Sequence, residues 1–519
     1  MPTRSLIKKN TYIDSVSLMA ISTKAGALEG VTNAVAAMAT PMNKDILTNQ
    51  GLITPEIEES TPGDLVLIVV TDGDEAGADA ALEGLIALLD RKPTGEAAEM
   101  TYRTIGAAAE GRSDANIAVI SVNGEYAAHE AHKALDAGLN VMLFSDNVAV
   151  ADEIALKRKA HDAGLLVMGP DCGTAIINGV SLCFANKVRR GRIGIVAASG
   201  TGAQELSVRI HDFTAGVSQL IGTGGRDLSA EVGAIMMLDG IDALDADAST
   251  DVIVVISKPP ADEVATKVLD RLAASSKPAV ACFLGATEEL KQAGAARGIQ
   301  VEGRTKPAAL AAVVAGGVRE EDLDLHPLNL PLVAEVRAKL KPEQKYIRGL
   351  FCGGTLCDES MFLALEKFSD VYSNIQKDPS KKLKGTDASQ GHTFLDFGED
   401  EFTNGKPHPM IDPSNRIERF LVEAADPEVG VIVMDFELGY GANADPVGVM
   451  LPAIVEAKKN AAAAGRHLEI LAYVLGTGED EQGFDEQVRK LTDAGVTWAS
   501  SSTNTGLLAR EFVTKGENA

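Results

Sequence analysis

Aromatic side chains are scarce in this chain of 519 residues, 4% of the total with a single tryptophan. Large rings therefore do little of the packing. The cores fall to aliphatic residues, alanine and glycine, which suit helices laid closely on sheets. Basic residues are also short: 48 Lys and Arg against 74 Asp and Glu leave a formal charge of −26, and no Lys/Arg-rich run offsets it. Such a surface repels phosphodiester backbones and anionic lipid, which argues against nucleic acid or a membrane as partner. Small anionic substrates stay open, because they need only a local positive pocket; otherwise the charge serves solubility. The five cysteines, Cys172, Cys183, Cys282, Cys352 and Cys357, are scattered without CxxC spacing, so neither a disulfide framework nor a zinc site is expected. None of the eight histidines stands at metal-ligand spacing. No stretch nears the roughly 18 apolar residues of a membrane span, and the opening MPTRSLIKKNTY has no apolar signal core. A cytoplasmic protein without a bound metal is the expectation.

What is present is 45% hydrophobic sequence in alternating strand and helix patterns, enough for three or four domains at roughly 150 residues each. Residues 1–98 read as a small N-terminal α/β domain. Strand-like runs at 12–22 and 31–39 precede a turn at Pro41 and a helix at 43–49, then a buried strand at 64–71 and an alanine-rich helix at 75–90; Lys92-Pro93-Thr94-Gly95 punctuates the end. Residues 99–188 read as a Rossmann-like domain, with strands at 117–122, 141–144 and 165–168 and glycine-stopped helices at 125–137 and 150–163. Ligands in open parallel sheets bind at the carboxyl ends of strands. That makes Asn123 and Gly124, in the loop 121–125, candidate substrate contacts beside the loop 169–174.

The most informative feature is an internal repeat. Residues 192–205 read RIGIVAASGTGAQE and residues 348–359 read RGLFCGGTLCDE; each is a buried strand, a small-residue loop ending Gly-Thr, and a helix with Glu205 or Glu359 four residues after the threonine. Later strands match in order: 251–257 with 430–436, 278–284 with 468–475, and 299–301 with 496–499. Two flavodoxin-like three-layer domains, 189–320 and 346–519, explain this. A charged, proline-bearing linker at 321–345 joins them, and a polar insertion at 377–413 enlarges the second.

Four loops have the makings of chemistry. Ser199, Gly200, Thr201 and Gly202 lead a strand into a helix start, where unpaired amides and the positive end of the helix dipole hold phosphate or carboxylate. Gly353, Gly354 and Thr355 repeat the device; tight strand–helix packing with a hydroxyl cap is the competing reading for each. Gly224 and Gly225 precede Arg226, a planar donor suited to a carboxylate or phosphoryl group, although a GxGG run also marks ordinary turns. The insertion carries His408 between two prolines, a candidate proton donor or carbonyl-orienting group with Asp396 and Asp412 as partners, or else an exposed loop. The acids of 435–446 suit either a cation or substrate amide, or helix capping.

MGPDCGTAIING (168–179), GRIGIVAASGTGAQE (191–205) and IGTGGRD (221–227) resemble the α subunit of succinyl-CoA synthetase and its acyl-CoA ligase relatives. FCGGTLCDE (351–359), HTFLDFGEDEFTNGKPHPMIDP (392–413) and DFELGYGANADP (435–446) resemble the FdrA family more narrowly. The resemblance implies a CoA-binding-type domain at 99–188 and succinyl-CoA-synthetase-type domains after it. In the ligase a His-Ala-Gly-Ala segment carries the phosphorylated histidine, and Gln292 stands in its place within 290–295. The ligase's glycine-rich CoA loop is matched to 71–77, where three acids oppose the phosphates of CoA. FdrA resemblance implies a subunit of an oxamate carbamoyltransferase, which interconverts oxalurate and phosphate with oxamate and carbamoyl phosphate in allantoin breakdown. Partner subunits and an oligomer are implied with it. No cofactor is required on this reading, with CoA or a nucleotide left open; an acyl-CoA synthetase of unusual mechanism and a non-catalytic scaffold subunit are the alternatives.

Overall fold

The computed structural model describes residues 2–11, 13, 15–26, 28, 30–90, 101–384, 387–403 and 406–514. The chain divides into two compact units, Met1–Thr101 and Tyr102–Ala519.

The first unit is a three-stranded antiparallel sheet, β1 (Thr3–Lys8), β2 (Val31–Met38) and β3 (Leu65–Thr71), in the order β1-β3-β2. The central β3 reads LVLIVVT and buries Leu65 to Val69 completely. The strand expected at 12–22 is instead a helix, Ser15–Gly26. Its valine and isoleucine favour a strand locally, but Leu18 and Ala25, seven residues apart, lie on one buried face against β2 and the helix Glu75–Asp90. Tertiary packing overrides the local preference. Residues 92–95 lie outside the described residues.

The second unit opens with a parallel sheet of β4 (Ile117–Ile120), β5 (Asn140–Leu143) and β6 (Val167–Met168). A seven-stranded sheet follows: β7 (Thr174–Ile177), β8 (Val180–Cys183), β9 (Arg190–Ala198), β10 (Val217–Gly222), β11 (Val252–Ser257), β12 (Ala279–Phe283) and β13 (Gln300–Glu302). A third, of six parallel strands, comprises β14 (Tyr346–Phe351), β15 (Val371–Ser373), β16 (His392–Asp396), β17 (Val429–Glu437), β18 (Glu469–Leu475) and β19 (Thr497–Ala499). The orders β13-β12-β11-β9-β10-β7-β8 and β15-β16-β14-β17-β18-β19 share one five-strand pattern, second-first-third-fourth-fifth, the flavodoxin arrangement. The fold is α/β with parallel sheets, as the repeat implied.

Two segments hold more than the sequence suggested. The polar stretch 377–413 contains β16, all five residues buried, which pairs with β14 and β15. The stretch 321–345 contains a helix, Leu330–Lys339, capped by Asn329 and packed on the helix Ser502–Val513. Among the described residues no helix is long and apolar enough to cross a membrane.

The two flavodoxin-like halves are pinned to each other by the glutamates of the repeat. Glu359 is buried and accepts from Thr305 N at 2.8 Å, Thr305 Oγ1 at 2.9 Å, Thr503 Oγ1 at 2.6 Å and Ser502 Oγ. Glu205 accepts from Ser502 N at 3.1 Å and from the Tyr473 hydroxyl. Each repeat helix thus uses its acid to cap a helix of the other half, Thr305–Ala315 by Glu359 and Ser502–Val513 by Glu205. Glu359→Ala strands these buried donors and is expected to cost about 2–4 kcal/mol in urea unfolding, with Glu359→Gln milder.

Candidate functional site

Strands β9 and β14 end in the two small-residue loops, and the loops meet. Ser199 Oγ is hydrogen-bonded to Thr355 Oγ1, and Thr355 N donates to Thr201 Oγ1 at 3.3 Å. The helices Gly200–Asp212 and Gly354–Leu365 therefore begin against one another. Gly202 permits the approach, since a β-carbon there would stand 3.1 Å from Thr355 Cγ2 and 2.9 Å from Ile256 Cδ1. Ser199 caps its own helix by accepting from Gly202 N at 3.2 Å.

The second loop departs from the expected bare cradle. Cys352 N and Gly353 N both donate at 2.8 Å to the carboxylate of Asp435, which closes β17. Arg416, fully buried, holds Asp435 Oδ1 at 2.8 Å and the Cys352 sulfur at 2.7 Å. Glu437 lies beside them, pushed well above the usual carboxylate range by burial and by Asp435. Cys352, Asp435 and Glu437 have donor atoms within 4.8 Å of one another, but the Arg416 guanidinium already supplies the positive charge among them. A cavity of about 10 Å³ bounded by Cys352, Met410, Arg416, Glu437 and Asn443 has room for about one water. The amides of Gly200, Thr201 and Gly354 have no hydrogen bond within the chain, and all three residues are partly open to solvent.

Around Gly354 stands a charged group. A β-carbon on Gly354 would lie 2.5 Å from Asp396 Oδ2 and 3.3 Å from Lys258 Nζ, so the missing side chain lets acid and amine both pack against the helix start. Asp396, at the end of β16, is buried, and its Oδ1 accepts from Gly398 N at 2.8 Å. The Asn374 amide clamps its backbone, donating to Asp396 O at 2.9 Å and accepting from Asp396 N at 3.0 Å. Burial pushes the Asp396 carboxyl up to about 8; Lys258 pulls the other way, and Glu399 and Asp358 push it higher. Lys258, following β11, faces Asp358 at 3.5 Å and Glu399 at 3.9 Å, and these acids hold its ammonium charged. Solvent reaches Lys258, whose side chain is 37% exposed, and Asp171.

His408 borders the same region. Burial lowers it to about 4, and its Nδ1 accepts from Met410 N at 3.2 Å, which leaves the proton of the neutral ring on Nε2. A β-carbon on Gly398 would lie 2.8 Å from His408 Nε2 and 3.1 Å from Asp396 Oδ1, so both pack against the bare glycine. Asp412 is not a partner of His408: its carboxylate caps Ser414 N at 3.0 Å.

The other candidates are placed elsewhere. Arg226 donates to Val148 O at 2.8 Å and pairs with Glu153 at 2.9 Å, and no hydrogen bond or ion pair joins it to Ser199 or Thr355. A β-carbon on Gly224 would strike Pro170 O at 2.3 Å, whereas Gly225 faces open space. Asn123 caps its helix through Glu125 N at 3.0 Å, and a β-carbon on Gly124 would meet Asp146 O at 2.2 Å. Gln292 is exposed on the helix Glu288–Ala295. The loop 71–77 lies in the first unit, between an antiparallel strand and a helix. Lys258 escaped the sequence reading; its signal was a lone lysine between a fully apolar strand and Pro259-Pro260.

Three family models match parts of the chain: "AllF, heavy metal-associated domain" over residues 1–105, "CoA binding domain" over 188–285 and "CoA-ligase" over 350–512. The first unit contains neither cysteine nor histidine, so the thiolate and imidazole donors that soft heavy metals take are missing from it. "Uncharacterized protein YahF" of Escherichia coli K12 is 60% identical, with 100% of each chain covered. The succinate–CoA ligase subunit alpha-2 of Trichomonas vaginalis is 29% identical over 42% of this chain and 72% of its own. Among solved structures, apo dinucleotide-forming acetyl-coenzyme A synthetase 1 of Ca. Korarchaeum cryptofilum covers 81% of this chain and 87% of its own at 18% identity and TM-score 0.33. ATP citrate lyase of Methanothrix soehngenii covers 46% of each chain at 17% identity and TM-score 0.37.

Two histidines with lowered affinity for protons make stability depend on pH. His392, like His408, is lowered by burial from 6.5 to about 4. The unfolded chain binds their protons first, so this contribution is fully present above pH 6.5 and is lost as pH falls toward 4. Urea midpoints across that range are expected to fall with acid, less steeply in His392→Asn.

Proposed function

The chain belongs to the family of the Escherichia coli protein YahF, and from that premise we propose that it is a subunit of a carbamoyltransferase. The reaction moves a carbamoyl group between phosphate and the amide nitrogen of a small carboxylate, carbamoyl phosphate and oxamate giving oxalurate and phosphate. One observation carries this reading: two helix N-termini abut and leave the Gly200, Thr201 and Gly354 amides free, next to the Lys258 ammonium. Such a site suits a small doubly charged anion and the oxyanion that forms beside it. Ser199, Thr201 and Thr355 add hydroxyls, and His408 Nε2–H is a neutral donor for a carbonyl oxygen. The AllF name of the N-terminal model supports a place in allantoin breakdown. Partner subunits would complete the assembly.

A second reading, an acyl-CoA ligase without a phosphohistidine, is favoured by the CoA-ligase and CoA-binding matches. One feature of 188–285, the span of the CoA-binding match, weighs against it: Arg226 is already paired with Glu153 at 2.9 Å and is not free to receive a pyrophosphate.

In the complex with its partner subunits, carbamoyl phosphate or phosphate at a hundredfold excess over Kd is expected to raise Tm by about 2–5 °C. The double substitution Thr201→Val with Thr355→Val should abolish that shift and the release of phosphate from carbamoyl phosphate with oxamate. Stoichiometric consumption of CoA with ATP and a carboxylate supports the ligase instead, and full transferase activity in the double variant supports a scaffold role.

A further inference from the structure

The region around Asp396 is more than a charged wall. Its backbone is clamped on both sides by Asn374, one carboxylate oxygen is fixed by Gly398 N, and the other oxygen packs against the bare Gly354 at the helix start. Lys258 Nζ stands against the same glycine, whose amide has no hydrogen bond within the chain. Asp396 Oδ1 and His408 Nε2 likewise both pack against Gly398. A purely structural aspartate would spend both oxygens on donors of the chain, as Asp435 does through Cys352 N, Gly353 N and Arg416. Asp396 keeps one oxygen, at the helix start, without a donor from the chain.

We propose that Asp396 accepts the proton of the attacking amide nitrogen during carbamoyl transfer, with Lys258 holding the acceptor's carboxylate beside Gly354. This assignment rests on the carbamoyltransferase reading and adds to it. The nitrogen lone pair forms the new bond to the carbamoyl carbon. The bond from that carbon to the phosphate oxygen breaks, its electron pair leaving on phosphate. The proton lost by nitrogen passes to the Asp396 carboxylate and from there to the departing phosphate, so charge and atoms balance. In reverse the same group returns the proton as an acid. The groups facing Asp396 are Lys258 after β11, Glu399 in its own loop, Asp358 and Cys357 on the Gly354 helix, Cys352 before it, and His408 across Gly398. Burial above all, with Glu399 and Asp358 and against the pull of Lys258, raises the carboxyl to about 8, so it donates to a bound anion at neutral pH and repels one when ionised.

Two readouts of opposite sign follow for the assembled complex. With Asp396 as the base, kcat rises with pH toward about 8, and Asp396→Asn lowers kcat roughly 100- to 10,000-fold with the KM for carbamoyl phosphate little changed. Oxamate, whose own charge is constant across this range, should raise Tm less as pH climbs past about 8 in the native protein, and equally at all pH values in Asp396→Asn. Gly354→Ala, which sets a methyl group against Asp396 and Lys258 without altering charge, should remove the oxamate shift. The role is overturned if Asp396→Asn keeps kcat within about threefold of native, if its oxamate shift retains the native pH dependence, or if Gly354→Ala binds oxamate as before. Should neither phosphate, carbamoyl phosphate nor oxamate shift the native complex at any pH, the carbamoyltransferase reading falls and this role with it.

Discussion

Two α-helices that begin against each other bring like ends of their dipoles together, and that repulsion shapes the region around them. Each N-terminus carries about half a positive charge in unsatisfied amides. Here the first residues of both helices are close enough for Ser199 to bond Thr355 directly. Negative charge must therefore collect nearby, and it does. Asp435 takes the Cys352 and Gly353 amides, and Glu205 and Glu359, one turn along their helices, are spent on the opposite half. What stays unpaired is the small set of amides nearest solvent, which is where an anionic guest relieves the remaining repulsion.

The glutamate pins explain why this arrangement persists without a guest. Neither helix can slide away from the other without breaking the caps on Thr305–Ala315 and Ser502–Val513, which belong to opposite halves. A buried carboxylate stripped of its donors is far costlier than a pair of facing dipoles in a partly wet cleft.

Much of this was legible in the sequence because it is local. Buried apolar runs ending in small residues, such as 193–198 and 347–351, announce strand, loop and helix together, and the Gly-Thr repeat with its glutamates marked the two halves. What escaped depends on distance or on competing signals. Asp435 reaches Cys352 across 83 positions, which no spacing rule reveals. β16 hides in a polar stretch because its burial comes from lying between β14 and β15, not from its neighbours in sequence. The β-branched residues of 15–26 imitate a strand until the partners of Leu18 and Ala25 are known. Lys258 is one lysine among many until the turn after β11 sets it opposite Asp396.

Duplication alone would give two equivalent anion sites, yet the halves diverge at matched positions. Val196 pairs with Val255 and Leu350 with Met434, so three residues further along the third strands stand Lys258 in one half and Glu437 in the other. The first half thus presents a charged amine beside the loops, while the second presents a buried acid whose carboxyl is raised by burial and by Asp435. Asp435, in the second half, takes the Cys352 and Gly353 amides, where the matched position of the first half is the apolar Ile256. One loop carries its own internal carboxylate and the other does not. Pseudo-symmetry has become a single cleft with distinct sides, which a transfer between two different small anions requires.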